Sequence, residues 1–105
     1  MEFEFANSRI RKLYSERKGA DKYPSDVIEA FFEVMTIIES EPTTQEIRKR
    51  ESLHFEKLEP REEGKHSVRL VKAWRLIFTI EKDNEGSYLR IVRIEEDYHK
   101  KKGAR

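Results

Sequence analysis

The hydrophobic positions follow two periods, and the change between them divides the chain. Residues 1–5 alternate, Phe3 and Phe5 against Glu2 and Glu4, which predicts a short half-buried strand. Over residues 8–18 the step lengthens to a thin helical stripe of Ile10, Leu13 and Tyr14, with Asn7 or Ser8 placed to cap it and Gly19 to stop it. Val27, Ile28, Phe31, Val34, Met35 and Ile38 then recur at steps of three and four. They predict a helix over residues 24–40 with one buried face. Pro24 suits its first turn, Ser25 or Asp26 its cap, and Pro42 its end. Thr43 and Glu46 have capping-box spacing, so a further helical turn to about residue 49 is expected.

After residue 50 the period becomes two. Residues 53–58 read as a strand, 67–71 and 74–81 as clearer strands joined by a tight connection at 71–73, and 88–94 as the last strand. Asn84, Glu85 and Gly86 supply turn chemistry before that last strand. Trp74, Leu76, Phe78 and Ile80 alternate with Arg75, Ile77, Thr79 and Glu81, which places the first set in the core. The order β-α-α-β-β-β-β implies an α+β fold, with helices packed on one face of a largely antiparallel sheet. There is no repeat and no linker, so residues 1–105 form a single domain with a basic tail from about residue 100.

Composition narrows the chemistry. Hydrophobic residues make up 36% and charged residues 41%, so a compact core sits under a charged surface. The absence of cysteine excludes disulfides, thiolate nucleophiles and cysteine-ligated zinc. Nothing resembles a signal peptide or a bilayer-spanning run, and a soluble cytoplasmic protein with no membrane partner is expected. The net charge of +1 hides an asymmetry: residues 19–64 carry six Lys/Arg against twelve acids, and residues 65–105 carry eleven against six. A basic last third suits a polyanionic partner, although a solvated charged surface would read the same way.

Three groups of residues could carry chemistry. His54 and Lys57 stand three apart. Arg69 and Arg75 flank the connection 71–73, which itself holds Lys72. Asp97, Tyr98 and His99 follow the final strand. RNA can be cut without a metal if a base takes the 2′-OH proton, an acid protonates the departing 5′ oxygen, and a cation holds the phosphate. His, Lys, Tyr and Arg fit those roles. Each group alone is weak, since a single histidine is more often structural. The three histidines have no recognised metal-ligand spacing, so neither metal nor cofactor is expected.

The segments Leu53-His54-Phe55-Glu56-Lys57-Leu58, Ser67-Val68-Arg69-Leu70, Ala73-Trp74-Arg75-Leu76-Ile77-Phe78 and Asp97-Tyr98-His99 resemble the HigB-type branch of the RelE/ParE toxin superfamily. Ile10-Arg11-Lys12-Leu13-Tyr14 is similar as well, so the likeness spans nearly the whole chain. The resemblance implies a RelE-like, microbial-RNase-type fold and a toxin of a type II toxin–antitoxin system. Its implied activity is that of an mRNA interferase, an endoribonuclease that cuts messenger RNA in the ribosomal decoding site. It implies a helix-turn-helix, HigA-like antitoxin as partner, with operator DNA bound only through the antitoxin complex. By position, His54, Lys57, Arg75, Tyr98 and His99 match catalytic residues, with Arg69, Lys72 and Asp97 in RNA-binding or supporting roles. A non-cleaving translation inhibitor and a gyrase poison on the same scaffold are the alternatives. The sequence departs from the family at Val71-Lys72-Ala73, where Asn, Asp or Gly is common, in the acid-rich loop 59–65, and in its longer lysine tail.

Overall fold

A computed structural model of the chain describes residues 1–60 and 62–97. Five strands, β1 (Phe3–Phe5), β2 (Glu56–Lys57), β3 (Lys65–Val71), β4 (Trp74–Asp83) and β5 (Gly86–Glu96), form one sheet in the order β1-β5-β4-β3-β2. β1 runs parallel to β5, and the remaining neighbours are antiparallel. The expected α+β architecture is therefore present.

Three α-helices pack on one face: α1 (Ser8–Glu16), α2 (Ser25–Ser40) and α3 (Thr44–Lys49). The α2 stripe is buried as its spacing predicts, from Val27 through Phe31 to Ile38. It packs with Ile10 and Leu13 of α1 against Val68, Leu76, Phe78, Leu89 and Ile91 of the sheet. Asn7 caps α1 by accepting from the Ile10 N–H at 3.1 Å, and Thr43 caps α3 by accepting from the Glu46 N–H.

Several boundaries differ from the sequence reading, each for a local reason. α1 ends at Glu16 because Arg17 takes the left-handed cap conformation (φ 57°) and its N–H donates to the Leu13 carbonyl. Gly19 opens a 3-10 turn instead of stopping the helix. Pro24 itself occupies the N-cap of α2, without a side-chain cap. Of the strand expected over 53–58 only Glu56–Lys57 pairs. Glu51–Leu53 forms a 3-10 turn, whose capping residue His54 has φ 43°. β4 and β5 run on to a tight turn, Asp83 facing Gly86, and are longer than their hydrophobic alternation suggests.

Ile77 belongs to the face away from the helices, yet it is only 1% exposed. Its cross-strand partner is Arg93, whose guanidinium holds Glu62 at 2.6 Å. The acid-rich loop therefore lies across this face and covers Ile77. Its charges are largely answered: Glu62 also meets Lys65 at 3.7 Å, and Glu59 accepts from the Gly64 N–H.

Candidate functional site

The β3–β4 hairpin creates the site. Val71 pairs with Trp74, so the chain reverses over Lys72 and Ala73, and Lys72 adopts φ 54°. A left-handed lysine is uncommon, because its Cβ crowds the following carbonyl. Two contacts hold it. Its ammonium meets Asp26 of α2 at 3.3 Å, and its carbonyl accepts from Arg69 Nε at 3.1 Å. The reversal places Arg69 directly opposite Arg75, so two cations share one face of the hairpin.

Arg75 is only 8% exposed and is fixed at several points. Its Nε donates to Ser67 Oγ at 2.7 Å, and its Nη2 donates to the His54 carbonyl and stands 3.3 Å from Glu56. Burial lowers its pKa, Glu56 and then Asp97 raise it again, and Arg69 opposes them. An arginine in such a setting stays charged. Nη1 has no hydrogen-bond partner among the described residues.

Around this guanidinium opens a groove of about 640 Å³, lined by His54, Glu56, Arg69, Lys72, Arg75 and Asp97 together with Phe55 and Ala73. Asp97 arrives there because its N–H donates to the Ala73 carbonyl at 2.7 Å, which ties the end of β5 to the hairpin turn. Among the described residues three non-glycine residues have positive φ, and two of them, His54 and Lys72, line this groove. Such strain, about 1–3 kcal/mol each, clusters at functional sites. Among the described residues no three His, Asp or Glu side chains converge as a metal site would require.

The groove brings together His54, Arg69, Lys72, Arg75 and Asp97 of the residues singled out from the sequence. It does not include Lys57. Within a two-residue strand Glu56 turns to Arg75, so Lys57 turns to the opposite face, paired with His66 and lowering that histidine's pKa by its charge. Tyr98 and His99 lie outside the described residues. Glu56 and Ser67 were missed. Glu56 was one acid in an acidic stretch, and Ser67, 0% exposed, had no signal apart from its register against Arg75.

A family model described as the RelE-like toxin HigB of type II toxin–antitoxin systems matches residues 3–99. The chain belongs to this family. Among solved structures, this HigB-like toxin is similar to a YoeB/ParE toxin from Agrobacterium tumefaciens, with a TM-score of 0.54 and 14% identity over 93% of this chain and 100% of that one. At that identity the likeness speaks for the fold. No curated protein matches the chain. Two departures of this toxin from the family's pattern have structural answers. Lys72 holds the turn conformation that Asn, Asp or Gly adopts more readily, and the acidic loop spends its Glu62 carboxylate on Arg93 and Lys65.

Proposed function

We propose that this toxin is a ribosome-dependent endoribonuclease that cuts messenger RNA in the decoding site by metal-independent acid–base chemistry, and that a HigA-like antitoxin silences it. The observation that carries the reading is Arg75, nearly buried, held by Ser67, His54 and Glu56 at the floor of a groove with two further cations, Arg69 and Lys72, at its walls. A fixed guanidinium whose Nη1 has no partner among the described residues matches a phosphate oxygen, because its donors are planar and already oriented.

In this reading the RNA supplies its own nucleophile. A base removes the 2′-OH proton as the 2′ oxygen bonds to phosphorus. The bond to the 5′ oxygen breaks, and an acid protonates that leaving oxygen. The products carry a 2′,3′-cyclic phosphate and a 5′-OH. His54 and Glu56 stand on the β2 side of Arg75, and Asp97 stands across from them at the end of β5. Tyr98 and His99, which follow Asp97 in sequence and lie outside the described residues, are proposed as the other proton-transfer groups. Lys57 is left out of the proton-transfer set, because it faces away from the groove. Ribosomes and messenger place the site of action in the cytoplasm, and among the described residues no helix is long and apolar enough to cross a membrane.

Primer extension on a reporter messenger, with purified toxin and programmed ribosomes, tests this. The wild-type chain should yield discrete 5′ ends within the reading frame, and Arg75→Lys, which keeps charge and loses the fork, should lose most of them. Arg75→Lys cutting at the wild-type rate would remove the assignment. Arrested ribosomes on intact messenger would favour the non-cleaving inhibitor.

A further inference from the structure

The acid-rich loop 59–65 takes no part in the chemistry proposed above, yet one of its carboxylates reaches the face of the sheet that carries Arg75. Side chains two apart on a strand share a face. Arg75 and Ile77 of β4 therefore point the same way, and so do the residues paired with them, Arg69 and Ser67 on β3 and Glu95 and Arg93 on β5. Lys65 lies two residues before Ser67 on β3 and joins the same face. Because Arg75 pairs with Glu95, Arg93 is its diagonal neighbour across β5, at a spacing of about 7–8 Å for such a pair. One nucleotide of an extended strand spans that step.

Arg93 is held at two points. Glu95, on its own strand, accepts from Nε at 2.7 Å, and Glu62 accepts from Nη2 at 2.6 Å. The other oxygen of Glu62 meets Lys65 Nζ at 3.7 Å. One carboxylate thus divides its two oxygens between a guanidinium on β5 and an ammonium on β3, with β4 between them. The two non-bridging oxygens of a phosphodiester can take the same pair of cations in the same way.

Water reaches all three groups, since the side chains are 37% exposed for Arg93, 31% for Lys65 and 22% for Glu62. An ion pair open to solvent contributes little to stability. Its position has a larger consequence, because it sets a negative charge where the next phosphate of a strand bound at Arg75 would lie. Glu95 can keep the Arg93 guanidinium oriented while Nη2 changes partner.

We propose that Arg93 and Lys65 form a second phosphate subsite, for the nucleotide next to the one held by Arg75, and that Glu62 occupies it as a stand-in for phosphate until RNA displaces it. Glu62 is then a built-in competitor of the messenger. This rests on the reading of the Arg75 groove as an RNA site.

The test uses the full-length toxin and a twelve-nucleotide single-stranded RNA with 2′-O-methyl sugars, which binds without being cut. Glu62→Gln keeps the shape and removes the charge, and it should raise RNA affinity about tenfold. Glu63→Gln takes the same charge from the exposed neighbouring position and should change affinity by less than about twofold. Adding Arg93→Gln to Glu62→Gln should abolish the gain, and the slope of log affinity against log salt should flatten by about 0.7, one phosphate contact fewer. Melting temperatures within a few degrees of wild type are expected. If the Arg93 variant does not fold, Lys65→Gln in the same background reads the other cation.

An unchanged affinity for Glu62→Gln overturns the proposal and leaves the ion pair as a structural tie. Equal gains for Glu62→Gln and Glu63→Gln overturn it as well, since overall charge would explain both. A gain confined to ribosomes without messenger, with the twelve-mer unaffected, also overturns it and assigns the cations to ribosomal RNA. Cleavage is read separately on programmed ribosomes. The expected binding pattern with messenger left intact ends the nuclease reading and upholds the subsite. Cleavage without that pattern ends only the subsite.

Discussion

Arg75 is a charge taken almost out of water and kept there by its neighbours. Deleting any one partner of such a group is costly, since the remainder is left buried and uncompensated. The same arrangement sets Glu56 3.3 Å from Arg75, with its side chain half-exposed in the groove. Glu56→Gln keeps the shape and removes the basic oxygen. It is expected to slow cleavage by about 10²–10⁴-fold, with ribosome binding retained, in single-turnover assays. An unaltered rate would assign the base to His54 or to a residue beyond Asp97. His66 is a separate case on the helix side. It packs between Phe55 and Phe78, with a buried Nδ1 that has no hydrogen-bond partner among the described residues. Burial lowers its pKa below 6.5, Arg48 and Lys57 lower it further, and Glu59 opposes them. The folded state thus prefers neutral His66. The stability it contributes is complete above pH 6.5 and is lost as pH falls from there through the folded pKa. Urea midpoints at pH 5 and pH 8 should differ less for His66→Phe than for the wild type.

At the level of elements, α2 holds the fold and the β3–β4 hairpin makes the site. Phe31 is fully buried and touches Tyr14 and Phe32 edge-on. Phe31→Ala should cost about 3–5 kcal/mol in chemical denaturation, through lost burial and the cavity left behind. An unmoved midpoint would contradict this packing. The hairpin turn responds differently. Lys72→Gly removes the strain of a left-handed lysine, about 1–2 kcal/mol, and an exposed ion pair with Asp26 worth about 0–1 kcal/mol. Stability should therefore hold or rise while RNA affinity falls with the lost cation, as an unfolding curve and an RNA titration would report. The six-residue segment 53–58 was the least legible element. Its apolar positions, Leu53, Phe55 and Leu58, fit a strand or a turn equally. Packing decided between them, by burying Leu53 from a 3-10 turn and leaving two residues to pair.

For the whole molecule, the separation of surfaces matters more than the net charge. The Arg75 groove opens at the β2–β3–β4 end of the sheet, and a second basic concavity opens beyond β5. The two concavities share no lining residue. The chemistry is tested on the intact ribosomal complex. A messenger with a 2′-deoxy sugar at the scissile nucleotide should resist cutting, and chelation that leaves ribosomes assembled should not slow it. Cleavage of the deoxy substrate would require a nucleophile other than the RNA's own hydroxyl.

Spacing along single elements determined that helices precede the sheet block, the buried face of α2 and the role of Phe78 and Leu76 in the core, whereas α3 stands as a third helix between α2 and β2 that the β-α-α-β-β-β-β order leaves out. The juxtaposition of Arg69 and Arg75 was also legible, since a tight hairpin pairs residues nearly symmetric about its turn. Tertiary structure decided the rest. Register across β2 and β3 turned Glu56 toward Arg75 and Lys57 away, a choice that a strand's two-residue period leaves open until one face is assigned. The same register buried Ser67 beside the guanidinium, and the Arg93–Glu62 pair tied the acidic loop to the strand residue opposite Ile77, a residue that is buried although its alternation alone would have left it in solvent. These contacts join segments roughly 10 to 30 residues apart, and no local pattern encodes which of them will meet.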